Sequence, residues 1–210
     1  MHEHNPEEPL PRDFDWNDLY SGEEGDYMPP DALLLELVEG LTPGHALDVG
    51  CGAGGLMVAL AKLGWRVHGI DVAKKAVEAA KKVLSRQGVQ ADLEVADAAG
   101  WRPSRTYDLV TNCFALPMSR ADQVQVYRNM RDAVAPGGTV IIKEFDPQMR
   151  RLPAFSGFDP IAVEHLTEAF EGFEVLRAEV VDTPEHDHGQ GTYGEQTWTA
   201  SLLVARRPNP

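Results

Sequence analysis

The residues whose types and spacing carry chemistry are Asp48, then Gly50, Gly52, Gly54 and Gly55, and then Asp71. Closely spaced glycines let a backbone take positive φ and approach a ligand. An acid about twenty residues after the first glycine is placed to accept hydrogen bonds from ribose hydroxyls. Gly50, Gly52 and Gly55 satisfy the dinucleotide fingerprint G-x-G-x-x-G, so a nicotinamide cofactor is one reading. Asp48 points elsewhere. A carboxylate two residues before the first glycine repels a pyrophosphate and suits a cationic amino-acid head group.

The elements that must position these residues follow from the apolar pattern. Ala46 to Val49 is an apolar run bounded by turn signals, which predicts a buried strand. Leu56 to Leu63 has helical character, and Trp65 to Ile70 predicts a second strand ending on Asp71. The free N–H groups at the start of the intervening helix face the glycine turn. A helix is expected over Asp31 to Gly40, with Asp31 as its N-cap, and another over Ala73 to Gln87. A third strand, Leu93 to Ala96, ends at Asp97 and Ala98; a fourth, Tyr107 to Thr111, leads into NCFALPMSR. Then come a helix over Ala121 to Val134, a turn at Pro136-Gly137-Gly138 and a fifth strand over Thr139 to Phe145. A helix over Ile161 to Phe170 and strands over Phe173 to Val181 and Thr197 to Ala205 complete the chain. This alternation predicts an α/β single domain. Its sheet is mostly parallel, of about seven strands, with one antiparallel strand near the edge and helices on both faces. Gly50, Asp71, Asp97 and Asn112 fall at the carboxyl ends of the strands, where such sheets bind ligands. The length leaves little room for the second half and substrate domain of a nicotinamide enzyme.

DVGCGAGG, Asp48 to Gly55, resembles the first motif of class I S-adenosylmethionine (SAM) methyltransferases. The resemblance implies a Rossmann-like methyltransferase fold with SAM as cofactor. It places Asp48, Gly50, Cys51, Gly52 and Gly54 around the methionine part, and Asp71 with Val72 at the ribose. Asp97 and Ala98 fall at the adenine, and Asn112, at the end of the fourth strand, is also expected at the cofactor.

FDWNDLYSGEEGDYMPP, residues 14–30, resembles the amino-terminal segment of the tellurite-resistance-type and thiopurine-type branch. Trp16 and Tyr20 are then expected against the cofactor and Tyr27 near the acceptor. The segment is either a lid that excludes water or a strap across the core. Leu116-Pro117 with Arg120 resembles that branch's "HLP…R" turn, but Ala115 stands where the branch has His. The loop after the fifth strand, with Arg150, and His188-Gly189 in the 182–196 loop match the same branch. His188, Tyr27 and Arg150 are the candidate acceptor-side residues, and Phe114, Met118 and Tyr193 join Tyr27 as candidates for its apolar wall.

The chain has 210 residues, 43% of them hydrophobic and 25% charged, enough for one core. Residues 1–13 read as a disordered tail and 14–208 as the domain. A net charge of −14 repels phosphate backbones, so no nucleic-acid partner is expected. No apolar run suits a membrane span, and no signal peptide is visible. Cys51 and Cys113, without a disulfide pattern, fit a cytoplasmic location. His186 and His188 lack a third clear ligand, so no metal is expected.

A small-molecule acceptor and a monomer or homodimer complete the reading. Methyl transfer to a thiol or softer chalcogen needs little or no base, whereas oxygen or nitrogen does, with His188 or Glu144 as nearest candidates. With no clear acid–base pair in the acceptor region, a soft nucleophile is expected: a thiol, sulfide, or selenium or tellurium species. The alternatives are an oxygen or nitrogen acceptor, and a nucleotide-binding module without catalysis.

Overall fold

A computed structural model describes residues 14–183 and 198–210. Its strands are β1 (His45–Val49), β2 (Arg66–Asp71), β3 (Asp92–Val95), β4 (Tyr107–Cys113), β5 (Val134–Phe145), β6 (Glu174–Thr183) and β7 (Trp198–Arg206). The helices are α1 (Ala32–Glu39), α2 (Gly55–Lys62), α3 (Lys74–Arg86), α4 (Arg120–Ala133) and α5 (Val163–Ala169). The strands form one sheet in the order β3-β2-β1-β4-β5-β7-β6. β7 runs antiparallel to both its neighbours, and the other pairings are parallel. This is the mostly parallel sheet that the alternation predicts, in the Rossmann-like methyltransferase arrangement that the resemblance implies. The strand order reverses between β1 and β4, and that switch opens a crevice at the carboxyl ends of both strands.

Strand residues alternate between two cores because successive Cβ atoms point to opposite faces. Leu47, Val110 and Ile142 pack with Val126, Tyr127 and Met130 of α4 and Leu166 of α5. Ala46, Leu109 and Ile141 pack with Leu34 and Val38 of α1, Met57 and Leu60 of α2, and Val83 and Leu84 of α3. The central strands are therefore apolar on both sides, as parallel strands covered by helices must be.

Two expectations are corrected. Pro136-Gly137-Gly138 is not a free turn: β5 runs through it. Gly138 lies against the carbonyls of Tyr107 and Asp108, where a Cβ would stand 3.0 and 3.1 Å away. Pairing with β4 slips there, from Tyr107↔Val134 to Leu109↔Thr139, so the glycines absorb a bulge. The strand–helix alternation also lapses once. No helix joins β3 to β4; Gly100 and Trp101 donate their N–H groups to the Asp97 carbonyl at 3.0 and 2.8 Å, forming a turn instead. No helix among the described residues is long and apolar enough to cross a membrane.

One buried ion pair gave no signal in the sequence. Lys143 of β5 is only 1% exposed. Its Nζ donates to Asp31 Oδ2 at 2.6 Å and to Thr183 Oγ1 at 2.8 Å. Asp31 Oδ1 meanwhile caps α1, accepting from Leu33 N and Leu34 N. Lys143 thus ties the sheet centre to the helix that follows residues 14–30.

Candidate active site

The loop after β1 is shaped by backbone that only glycine takes easily. Gly50, Gly52 and Gly54 have φ of 75°, 52° and 85°. A Cβ on Gly50 would lie 2.1 Å from the Ala115 Cβ, so this loop rests directly on the loop after β4. Gly54 starts α2 and faces Ala80 of α3, where a Cβ would stand at 3.2 Å.

Asp71, at the tip of β2, locks the glycine loop from the side. Its Oδ2 accepts from Gly52 N and its Oδ1 from Ala73 N, both at 2.8 Å. Each oxygen keeps acceptor capacity beyond these bonds, which suits two vicinal hydroxyls. Burial raises its pKa, and the two N–H donors oppose that rise. Asp48 is 4% exposed at the end of β1 and accepts from Thr111 Oγ1 at 2.8 Å. Burial pushes its pKa from 3.8 to about 6, the Thr111 bond pulls it down, and the Asp71 charge adds to the rise.

These groups line a cavity of about 430 Å³ at the switch point. Trp16, Leu19 and Tyr20 enter its wall from the 14–30 segment. That segment is also tethered to α3. Asn17 Oδ1 accepts from Lys75 N at 3.0 Å, Glu23 pairs with Lys82 at 2.7 Å, and Glu24 pairs with Arg86. It is fastened like a strap and lines the cavity like a cover. The Tyr20 hydroxyl lies 3.1 Å from the position a Gly52 Cβ would occupy, and burial, then the Asp71 charge, raise its pKa.

Another part of the wall is aromatic: Phe114, Phe145, Phe155, Phe158 and Trp198. Phe145 stands at the centre, with ring centroids 4.5 Å from Phe114, 4.6 Å from Phe155, 6.3 Å from Phe158 and 5.9 Å from Trp198. Phe114 is held at φ 52°, uncommon for a bulky residue, and its N–H donates to the Lys143 carbonyl at 2.9 Å. Glu144 joins this wall. Its Oε1 accepts from Ala115 N at 2.6 Å and Leu116 N at 2.8 Å, fixing the loop after β4. Burial pushes Glu144 from 4.5 to about 7, against the pull of those N–H groups.

Of the residues expected at a cofactor, Trp16, Tyr20, Asp48, Gly50, Cys51, Gly52, Asp71, Val72, Asp97 and Ala98 line the cavity together. Gly54 and Asn112 do not. Gly54 serves the turn, and the Asn112 side chain bonds the Val49 carbonyl at 2.9 Å, stitching β4 to β1. Tyr27 packs against the α1–α2 core, and Arg150 pairs with Asp159 at 3.3 Å; neither side chain lines the cavity. His188 and Tyr193 lie outside the described residues. Cys113 lines the cavity, and burial holds its thiol well above the usual range, which removes the thiolate a nucleophile needs. Of this aromatic wall, the sequence reading reaches only Phe114. A signal for the rest is present: Phe155 and Phe158 sit in a segment with no helical or strand period just after Phe145 ends its strand, so their rings must pack somewhere.

Residues 46–138 match the methyltransferase domain family. The sheet order and the loop after β1 agree with this match: the segment is similar to class I SAM-dependent methyltransferase domains, and the cofactor that similarity implies is S-adenosylmethionine. The chain is 32% identical over 149 residues to a ubiquinone biosynthesis O-methyltransferase of Vibrio parahaemolyticus, covering 64% of this chain and 59% of that protein. It is 42% identical over 84 residues to ribosomal RNA small subunit methyltransferase C of Alcanivorax borkumensis, covering 39% and 26%. The chain therefore spans between about a quarter and three-fifths of these relatives' lengths. Among solved structures, TehB from Haemophilus influenzae superposes with a TM-score of 0.70 at 17% identity, covering 85% of this chain and 62% of that one. The N-methyltransferase NodS from Bradyrhizobium japonicum WM9, in complex with S-adenosyl-L-homocysteine, gives 0.62 at 21% identity and covers 84% of each. A structure described as "Conversion of a Disulfide Bond into a Thioacetal Group during Echinomycin Biosynthesis" gives 0.68 at 25% identity, covering 86% and 83%.

The residues present fit this cofactor. Bare glycine backbone, a carboxylate with two usable oxygens and a buried acid for a cationic head group meet at one cavity. Thr111→Val tests the coupling of β4 to that acid. The substitution removes the one hydrogen bond that lowers Asp48 and keeps the shape. The pH midpoint for SAM binding is expected to rise by about one unit, with a several-fold loss of affinity at pH 7. Calorimetric titration between pH 5 and 8 measures this; an unmoved midpoint would remove Asp48 as the group responsible.

Proposed function

We propose that the protein transfers the methyl group of SAM to a hydroxyl, or alternatively a thiol, of a small, uncharged, apolar acceptor. One observation carries the acceptor class. The described wall of the cavity contains five packed aromatic rings and seven acids, but no lysine, arginine or histidine. Asp31 and Asp159 are already paired with Lys143 and Arg150 behind the wall, so an anionic acceptor meets the other acids with no free protein cation in the described lining, whereas an apolar one gains by burial against the rings.

When bound, SAM supplies an electrophilic methyl group on a sulfonium. Asp71 would hold the ribose hydroxyls, Asp48 the cationic head group, and Asp97 with Ala98 the adenine. Trp16 and Tyr20 cover the cavity and exclude water, the lid role in this reading. The aromatic wall aligns the acceptor for in-line displacement. The methyl carbon would pass from the sulfonium to the acceptor, leaving S-adenosylhomocysteine, and the Glu144 carboxylate would take the acceptor's proton. A base whose pKa lies near 7 suits that task.

The hydroxyl reading draws support from Glu144 and from the O-methyltransferase relatives. The thiol reading is supported by the low need of thiols for a base, and by the neighbour whose description concerns a disulfide and a thioacetal. The tellurite-resistance-type resemblance adds selenium and tellurium species, but their oxyanions conflict with the cation-free wall. The deciding experiment offers uncharged phenols and alkyl thiols beside selenite and tellurite, with SAM, and measures methylated products by mass spectrometry and headspace gas chromatography. Products from the uncharged compounds alone are expected. Turnover of the oxyanions alone would overturn the acceptor class.

The ribose role of Asp71 has a separate check. Asp71→Asn is expected to weaken SAM about tenfold, because an amide NH2 then faces a backbone donor and one hydroxyl loses its acceptor. Adenosine should bind the wild type more tightly than 2′-deoxyadenosine, and the variant should lose that preference. A preference that persists in Asp71→Asn would assign the affinity loss to the loop rather than the ribose.

A further inference from the structure

We propose that a groove at the amino ends of the strands, on the opposite edge of the sheet from the SAM site, binds a small polyanion carrying two or more phosphate groups. The groove has a volume of about 870 Å³ and is walled by the starts of β1, β2, β3 and β4 and by the second half of α3. Three cations enter it from three separate segments: Arg66 from β2, Lys81 from α3, and Arg105 from the approach to β4. Asp92 is the one acid in its described wall.

The cations stand out because of the chain they sit in. Acids outnumber bases 33 to 19, so carboxylates are plentiful, and most basic side chains have found one or a carbonyl. Lys74, Lys82, Arg86, Arg150, Arg177 and Arg206 all form ion pairs. Among the described residues, Arg66 and Lys81 make no side-chain hydrogen bond or ion pair. Arg105 only stacks over the Tyr107 ring, at 5.6 Å. The other described basic side chains in that condition are Lys75 and Arg128, so three of the five unpaired ones among the described residues line one groove.

Their fields overlap. Burial first, and then the charges of Arg105 and Arg66, lower the pKa of His45 at the groove's edge, against the opposing charge of Asp108, whose Oδ2 accepts from His45 N at 2.8 Å. The floor is fixed, since Tyr107 is buried and its hydroxyl is bonded to His68 Nδ1 at 2.8 Å. Guanidinium forks engage phosphate oxygens in pairs, and cations on three segments suit a ligand with more than one anionic group. A long RNA backbone would have to cross the surrounding acidic surface, which a compact polyanion avoids.

The test is calorimetric titration of the full chain with sodium pyrophosphate at low ionic strength, in the wild type and in the exposed-site variants Arg66→Glu, Arg105→Glu and Arg128→Glu. Each variant changes the net charge equally, and retained SAM binding shows that each is folded. Saturable one-to-one binding is expected, at least tenfold weaker in Arg66→Glu and Arg105→Glu and unchanged in Arg128→Glu. Equal losses in all three variants would reduce the effect to bulk charge and overturn the site, as would the absence of saturable heat. A single-stranded RNA that binds the groove and is not displaced by pyrophosphate would overturn it in favour of a nucleic-acid surface.

Discussion

Asp48→Asn is expected to raise the melting temperature of the ligand-free protein while weakening SAM at least tenfold. The two effects share one cause. Asp48 is 4% exposed, and burial lifts its pKa from 3.8 to about 6. An acid with a raised folded-state pKa binds more protons folded than unfolded, so stability falls as pH rises from 3.8 to about 6 and stays low above it. At pH 7.5 the wild type carries the whole cost, about 3 kcal/mol by that difference. Asparagine carries none of it, and its carbonyl still accepts from Thr111. The gain in melting temperature is then about 5–10 °C at pH 7.5 and shrinks towards pH 4. The cofactor meets the opposite change. A charge-assisted hydrogen bond to its cationic head group is lost, worth about 1.5–3 kcal/mol. In the wild type, affinity should also fall as pH drops through about 6, where Asp48 takes up its proton. Thermal melts and SAM titrations at pH 5 and 7.5 measure both. A variant less stable than the wild type, or one that binds SAM equally well, would show that the carboxylate is structural.

The same chemistry explains what the sequence made legible. The cofactor side of the cavity is written in short range. Asp48, Gly50, Gly52 and Asp71 belong to a single strand–turn–helix–strand unit, and positive φ and a terminal acid leave marks in residue type. The seven-strand sheet with one antiparallel member was legible for a similar reason: each strand announces itself by local apolarity, and connection rules order the set. What stayed hidden depends on long-range placement. Lys143 reads as an ordinary polar residue in a β-branched run, and its partners Asp31 and Thr183 are distant in the chain. Asn112, near the tip of β4, is expected at the cofactor by its place in the strand, and the bond of its Nδ2 to the Val49 carbonyl leaves no mark in the local sequence. The missing helix between β3 and β4 has its local reason in the Asp97 turn. The aromatic wall combines the end of β5, the loop beyond it and the first residue of β7, and no local period links those pieces.

Glu144 is where that long-range placement decides the chemistry, and Glu144→Gln separates the two acceptor readings. Glutamine keeps a carbonyl oxygen for the N–H groups of Ala115 and Leu116, so the loop after β4 stays anchored. It cannot take a proton. For a hydroxyl acceptor the turnover number should fall about 100-fold or more, the usual scale for a lost general base. For a thiol, whose own pKa is about 8.5, the change should be less than about threefold. The pH profile sharpens the distinction. Glu144 is a carboxylate only above about 7, so wild-type turnover of a hydroxyl acceptor should rise through that pH and level off. The variant should lose the inflection along with the rate. Its melting temperature should hold or increase, because the cost of the buried charge disappears with it. Full activity on hydroxyl acceptors with the inflection intact would leave Glu144 as the loop's anchor alone and shift the proposed chemistry to acceptors that ionise unaided.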